Sequence, residues 1–375
     1  LLRDVNPTTL REDTPGFRET TYLNTGASGP SPRRVVDAVE SWYEYHEYET
    51  PAGPGMYGPA FELFEDVRDT VAAHVDADPL EIALTGSTTD GMGRLPLAMD
   101  WSDDDVVVRT DVEHAAGILP WRRLREEYGV EVRVVETDHG RVDPEAWADA
   151  VDGATLATFS SIPWTSGVRA DVAALTDIAQ DAGARVLVDA VQSTGQHAFS
   201  VEEWGADAVA GSAHKWLLGP WGAGYLYVEE SFAETLEPAQ LGYRNLRDPY
   251  ADPYEYEAGA KRFEFGTVAP APYAGLQEAI ETMEAIGMDT VESEIAALTD
   301  YFKAELGDDR LVSPSEYESG LVAFTDPDPE ATVERAADAD VQIRSIPTAG
   351  VVRASLHVLN TREDVDRLLE VVQSG

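Results

Sequence analysis

"GSAHKWLLGPWGAGYLYV", residues 211–228, joins two apolar stretches through a lysine and a run of glycines. Upstream, "DAVAGS" (207–212) has the small, β-branched character of a buried strand, and "GYLYV" (224–228) reads as the next one. Lys215 is one of only three lysines, with Lys261 and Lys303, against twenty-four arginines. A lysine at a strand end in apolar, water-poor surroundings has a lowered proton affinity, so its amine can act as nucleophile or base. Arginine cannot form an imine, which gives a reason for keeping a lysine here. The glycines lead into a strand rather than a helix, so they read as a tight turn and not as a dinucleotide-binding loop.

Working outward, further strands are expected at "EIALT" (81–85), "DVVVRT" (105–110), "VEVRVVE" (130–136), "ATLATFS" (154–160) and "ARVLVDA" (184–190). Amphipathic helical stretches lie between them, such as "VAALTDIAQDAG" (172–183), begun by Asp171 as N-cap and ended by Gly183. Alternation of this kind predicts an α/β domain with a largely parallel sheet. From about residue 276 the texture changes to acidic amphipathic helices, a few strands and a closing helix at "TREDVDRLLEVVQ" (361–373), which predicts a smaller α+β lobe. We therefore expect a large domain over 19–275 and a small one from 1–18 plus 276–375. Residues 244–262, rich in Pro, Tyr and charge, read as a long surface loop and a candidate gate.

Seventy acidic residues against 27 basic ones give a net charge of −43, spread without a long acidic block. Like-charge repulsion argues against nucleic acid and anionic membranes as partners. Concentrated salt would screen the repulsion, so the composition reads as that of a halophilic cytoplasmic protein. No run of about eighteen apolar residues is present for a membrane span, and "LLRDVNPTTLRED" (1–13) lacks the features of a signal peptide. Cysteine is absent, which excludes disulfides, thiolate metal sites and a cysteine nucleophile. No metal-ligand spacing such as HExxH occurs, so no metal is expected.

Ligands of open α/β sheets bind beyond the carboxyl ends of the strands. Four groups of polar residues fall there. Asp189 ends "RVLVDAVQ", and Gln192 follows three residues later. "LTGSTTDGMG" (84–93) places Ser87, Thr88 and Thr89 at a helix start, where free N–H groups and hydroxyls can cradle a phosphate; the alternative is a plain helix cap. His114 follows the strand at 105–110, either as a structural residue or as a ring that stacks on an aromatic ligand. Lys215 has Ser212 and His214 beside it. An amine for a Schiff base, an acid for a pyridine nitrogen, a phosphate cradle and a stacking ring are the parts of a pyridoxal phosphate site.

With these residues assembled, the sequence resembles the class V aminotransferase family of fold-type I pyridoxal phosphate enzymes, in its cysteine desulfurase-like branch. The resemblance rests on "YLNTGASGP" (22–30), "TGSTTDGM" (85–92), "VEHAAGILPW" (112–121), "VDAVQSTG" (188–195), the opening stretch, "RFEFGTVAP" (262–270) and "VRASLHVLNTREDVDRL" (352–368). It implies the PLP-dependent transferase fold, with a mostly parallel seven-stranded sheet in the large domain. By the same resemblance, Lys215 would hold the cofactor as an imine and shuttle the α-proton. Asp189 would face the pyridine nitrogen, Gln192 would reach the phenolate oxygen, and His114 would stack on the ring. Thr88, Thr89, Ser212 and His214 would form the phosphate shell, and Thr267 would reach the phosphate of the neighbouring subunit in a homodimer. Arg353 would pair with the α-carboxylate of an amino acid substrate, its alternative being a surface ion pair; Asn24 and Gly26 would lie near the substrate.

Two departures from the family bear on function. Desulfurases of this branch carry a mobile-loop cysteine that takes sulfur from the substrate, whereas "IRSIPTAGVVRAS" (343–355) is short and cysteine-free. Around "SSIPWTSG" (160–167) the family usually has an asparagine, where this chain offers Trp164 or, in another alignment, Ser161. An aminotransferase working through Lys215 is the first expectation, because it requires no further residue. A lyase or epimerase without a protein thiol is the alternative, resembling selenocysteine lyase, cysteine desulfurase or isopenicillin N epimerase. A degenerate binding subunit would have lost Lys215 or Asp189, and a nicotinamide enzyme would carry G-x-G-x-x-G; neither condition holds.

Overall fold

The structure, a computed structural model, describes residues 5–347 and 350–374. Thr348 and Ala349 of the shortened "IRSIPTAGVVRAS" segment, and the first four residues of the 1–18 segment, lie outside the described residues.

Seven strands form the central sheet in the order Ile82–Thr85, Gly224–Val228, Ala208–Ser212, Arg185–Asp189, Leu156–Ser160, Val106–Thr110 and Glu131–Val135. Each lies where the β-branched runs place it, with ends trimmed by a residue or two. Only Gly224–Val228 runs against its neighbours. Because it is antiparallel to both, Ile82–Thr85 points the same way as Ala208–Ser212, and its carboxyl end joins the same edge. The four strands from Leu156 to Val228 are buried almost throughout, since helices cover both faces. Between them, Asp171 caps Val172–Asp181 by accepting from Ala174 N at 3.2 Å, and Gly183 turns out of that helix at φ +90°.

A second sheet pairs Leu321–Thr325, Val351–Ser355 and Arg344–Ser345 in antiparallel fashion. Its apolar face packs with Met288–Leu306 and Arg362–Gln373 around Phe302, Phe324, Val352 and Leu368. Arg362–Gln373 begins with a capping box between Thr361 and Asp364. The expected boundary at 275/276 falls inside the helix Ala271–Ile286, because Pro272 starts that helix earlier than the acidic pattern suggests. The chain breaks instead at Gly287, φ +91°. Near the N-terminus, Thr21–Tyr22 pairs with Val341–Gln342, so this part of the expected large domain hydrogen-bonds to the C-terminal lobe.

Residues 244–262 are less free than their composition suggests. Arg244, Asn245, Leu246, Ala260 and Arg262 are buried, leaving the Tyr250 tip exposed. The anchor is Glu264, fully buried between Arg68 (2.6 Å) and Arg244, and accepting from Leu84 N at 2.8 Å. Burial raises the proton affinity of this carboxylate, but the two guanidiniums outweigh it and hold its pKa below the usual range. Glu264→Ala would leave two buried cations without their acid, a change that costs about 3 kcal/mol or more. We expect a clear fall in the thermal midpoint at fixed salt; an unchanged midpoint would mean that the network is immaterial to stability.

No helix among the described residues is long and apolar enough to cross a membrane.

Candidate active site

Beyond the common carboxyl edge of the sheet lies a cavity of about 330 Å³. Its wall includes Lys215, Asp189, His114 and Trp164, and continues through Ser87, Thr88, Thr89 and His214 to Arg353 and Arg344. Residues distant in the chain thus meet, most because they follow a strand of the large sheet that ends here, and Arg344 and Arg353 because the small sheet adjoins this edge.

Lys215 sits in a turn closed by Leu218 N donating to Lys215 O (3.0 Å) and Gly219 N to Ala213 O (2.8 Å). Leu218 adopts φ +57°, a left-handed conformation that is costly for a branched side chain. Gly29 braces the turn from outside, donating to His214 O at 2.8 Å. A Cβ on Gly29 would stand 2.4 Å from Lys215 O, so only glycine permits this approach. Burial, reinforced by Arg353 and Arg344 and opposed by Asp189, lowers the Lys215 pKa to about 8. The amine is therefore mostly protonated at neutrality and becomes free at a lower pH than an ordinary lysine, the direction that the opening stretch suggests.

Asp189 is buried at the end of Arg185–Asp189, and its Oδ1 accepts from Val191 N at 2.9 Å. Burial raises its pKa; Val191 N, Lys215 and His114 pull the other way. His114 caps the turn Ala115–Gly117, its Nδ1 accepting from Ala116 N at 3.3 Å. Burial and then the Lys215 charge lower its pKa, so the imidazole is neutral with its proton on Nε2. The ring meets Trp164 edge-on, centroids 6.0 Å apart. His214 bonds Ser212 Oγ through Nδ1 at 2.8 Å, and burial followed by the Lys215 charge brings its pKa down to about 4.

Ser87 caps Thr88–Arg94 by accepting from Asp90 N at 3.2 Å. Thr88 Oγ1 is buried without a hydrogen-bond partner, while Thr89 is exposed. At the opposite end, Arg353 is completely buried. It donates Nη1 to Trp164 O at 2.8 Å and leaves Nε and Nη2 without partners. The surface ion-pair alternative for Arg353 is thereby removed: it is not on the surface, and no acid pairs with it among the described residues. Asn24 Oδ1 and Ser355 Oγ, on the bridged residues Asn24 and Ser355, are also buried and unpartnered. Orphaned polar atoms gathered at one place mark where a polar ligand belongs.

Several expected site residues stand off this wall. Gln192 is spanned between Gly26 O, to which it donates at 3.0 Å, and Trp216 Nε1, from which it accepts at 2.7 Å. It lies behind the cavity and fixes the Gly26 segment and the Lys215 turn to each other. Ser212 reaches the site through His214, and Asn24, bridged to Ser355, is not on the wall. Of the two residues offered at the family's asparagine position, Trp164 lines the cavity; the Ser161 hydroxyl is engaged with Ser193 Oγ (2.7 Å) and Asp189 O (3.2 Å). Thr267 bonds Tyr243 OH at 2.8 Å and lines a separate cavity with Trp42, Tyr57 and Phe61. None of residues 244–262 lines the Lys215 cavity of the same chain.

Two residues escape the sequence reading. Glu113 is buried behind His114, where Oε1 accepts from Thr110 Oγ1 (2.6 Å) and Ser160 N (3.0 Å) and Oε2 from Ser160 Oγ (2.7 Å). Burial raises its pKa to about 7. It ties together the ends of two strands and thereby positions His114; the signal for it is an acid directly before that histidine. Arg344 reaches the wall from the strand paired with Val351–Ser355, and nothing in its local sequence marks it.

Comparison with known proteins agrees with this arrangement. The sequence model of the family "Aminotransferase class-V" matches residues 21–368. A probable cysteine desulfurase of Methanothermobacter thermautotrophicus is 33% identical, over 97% of this chain and 96% of its own. The apo structure of a cysteine desulfurase from Thermococcus onnurineus superposes with a TM-score of 0.88 at 29% identity, covering 98% of both chains. The cystine C–S lyase C-DES, in complex with its reaction product cysteine persulfide, gives a TM-score of 0.90 at 25% identity, covering 96% of this chain and 98% of its own.

The cavity also fits the cofactor that the family uses. Pyridoxal 5'-phosphate requires a buried primary amine, a buried acid and unsatisfied donors for its phosphate; Lys215, Asp189 and the partnerless Thr88 hydroxyl supply these. The cofactor is pyridoxal phosphate, and the fold is the mostly parallel α/β fold of these enzymes. By sequence pattern over most of its length, and by a fold shared end to end with solved relatives, the chain belongs to the class-V aminotransferase family.

Proposed function

We propose that this enzyme is a lyase that eliminates a sulfur substituent from the β-carbon of an amino acid without using a protein thiol. The observation that carries the reading is the complete absence of cysteine from a chain whose Lys215 cavity is otherwise furnished. The relatives named as cysteine desulfurases support sulfur amino acids as the substrate class, and the cystine C–S lyase supports elimination as the reaction.

In this reading Arg353 takes the α-carboxylate with its unpartnered Nε and Nη2, which orients Cα in the cavity. Lys215 Nζ removes the α-proton, a task suited to an amine with a pKa near 8. The cofactor, when bound, would supply an electron sink, and Asp189 would hold its pyridine nitrogen. His114 donates a hydrogen bond from Nε2 to the departing sulfur, while Trp164 shields the site from water. Ser87, Thr88 and Thr89, with His214 behind them, hold the phosphate. Two copies of the chain would pair through the aromatic face that carries Thr267 and Tyr57, and the −43 charge suits a protein that works in concentrated salt.

Transamination is the second reading, favoured by Lys215 alone, since one amine near its pKa can both remove a proton and return it at another carbon. Product analysis separates the two. Cofactor-loaded protein in concentrated KCl is given cysteine, cystine or alanine, with and without a keto-acid acceptor. Elimination from cystine gives pyruvate, ammonia and persulfide in equal amounts with no acceptor. A keto acid formed only with an acceptor, and without ammonia, would establish the transaminase instead.

A further inference from the structure

We propose that Arg344 is a second carboxylate-binding residue, so that the substrate is an amino acid carrying another carboxylate on its side chain. The inference rests on the α-carboxylate role given to Arg353 above and extends it to the distal end of the substrate.

The register of the small sheet sets Arg344 directly opposite Arg353. Side chains of directly opposed residues lie on one face of a sheet with Cβ atoms about 5 Å apart, and like charges so placed repel. This chain has 70 acidic residues with which to neutralise such a pair. Yet among the described residues neither arginine forms an ion pair, and two nitrogens of the fully buried Arg353 have no partner at all. An unfavourable pair kept without compensation in the free protein is what a binding site for anions looks like.

Both guanidiniums face the same space. Arg344 and Arg353 stand 5.6 and 6.0 Å from the centroid of Trp164, and all three line the Lys215 cavity. The indole lies against both cations and forms an apolar surface along which the carbon or sulfur chain of a substrate can run from one carboxylate to the other. Among the described residues Asp189 is the only acid on the cavity wall, which also carries Lys215, Arg353 and Arg344. Arg344 is half-buried, and among the described residues its side chain makes one hydrogen bond, from Nε to Ser345 O at 3.2 Å, so its terminal nitrogens can take a carboxylate as a fork. Ser87, Thr88 and Thr89, which would hold the cofactor phosphate, stand at the start of Thr88–Arg94 rather than on the small sheet that carries Arg344.

The test uses carboxylic acids without an amine, which bind but cannot react, so it is independent of which bond the enzyme breaks. Succinate and butyrate are titrated into the cofactor-loaded protein by calorimetry at one fixed KCl concentration. A second charge-assisted contact predicts succinate binding at least about tenfold tighter than butyrate. Arg344→Gln should remove that preference while leaving butyrate affinity within about twofold, and Arg344→Lys should retain part of it. Equal affinities for the two acids in the unaltered protein, no measurable succinate binding, or a preference that survives Arg344→Gln would each overturn the proposal. If the product analysis above instead finds transamination, the lyase reading fails while these affinities still decide the role of Arg344.

Discussion

Lys215→Ala is expected to lower turnover by at least about three orders of magnitude, because in the proposed reading it removes both the attachment point and the proton carrier of the site. The variant should fold, since alanine fills a buried position without bringing in an unpaired charge. Its cofactor should be lost on denaturation even after borohydride treatment, whereas in the unaltered protein the label should remain on the chain. The lowered pKa adds a pH signature. Below about pH 8 the buried amine holds a proton and cannot attack a carbonyl, and above it the amine is free. Uptake of the cofactor by cofactor-free protein should therefore quicken by about tenfold per pH unit up to about 8 and then level off. The stability of the cofactor-free chain follows the same sign. Between about pH 8 and the ordinary lysine value the unfolded chain holds a proton that the folded one has lost, so stability rises with pH across that window. Retention of a tenth or more of the activity in Lys215→Ala would place the essential base elsewhere.

Arg353→Gln should produce opposite changes in activity and stability. Burial and then the charge of Arg344 lower the proton affinity of this guanidinium, and no acid among the described residues offsets the cost. If Arg353 pairs with the substrate carboxylate, kcat/KM should fall by about a hundredfold or more, mostly through KM, because a buried charge-assisted pair is lost. The cofactor-free protein should meanwhile be stabilised by about 1 kcal/mol or more, since an unpaired charge leaves the interior. Kinetics and a thermal melt on the same preparation read both. Lower stability with little change in KM would make Arg353 a structural residue and shift the carboxylate role to another group.

Much of the architecture is legible in local sequence. The seven strands of the large sheet lie within a residue or two of their β-branched runs: the central ones are buried on both faces and so apolar almost throughout, while the edge strand Glu131–Val135 is legible from its alternating valines alone. The site residues at the strand ends are legible for the same reason: a polar side chain immediately after such a run marks the carboxyl edge, where Lys215, Asp189, His114 and Thr88 converge. Less legible are the partners of those residues. Gln192 has the composition of a cofactor ligand, yet its amide is taken up by Gly26 O and Trp216 Nε1. Glu264 looks like any acid in a charged segment until Arg68 and Arg244 close on it.

The sequence by itself therefore determined the fold class, the place of the lysine beyond a strand end and the exclusion of a protein thiol. Each depends on residue type or on periodicity along a single element, which neighbours in the chain disclose. Tertiary structure alone decided that Thr21 pairs with Val341, that Trp164 rather than Ser161 faces the cavity, and that Arg344 stands opposite Arg353. Those facts depend on strand register and on which side chains reach the same space, and a one-residue change of register turns every side chain of a strand to its other face.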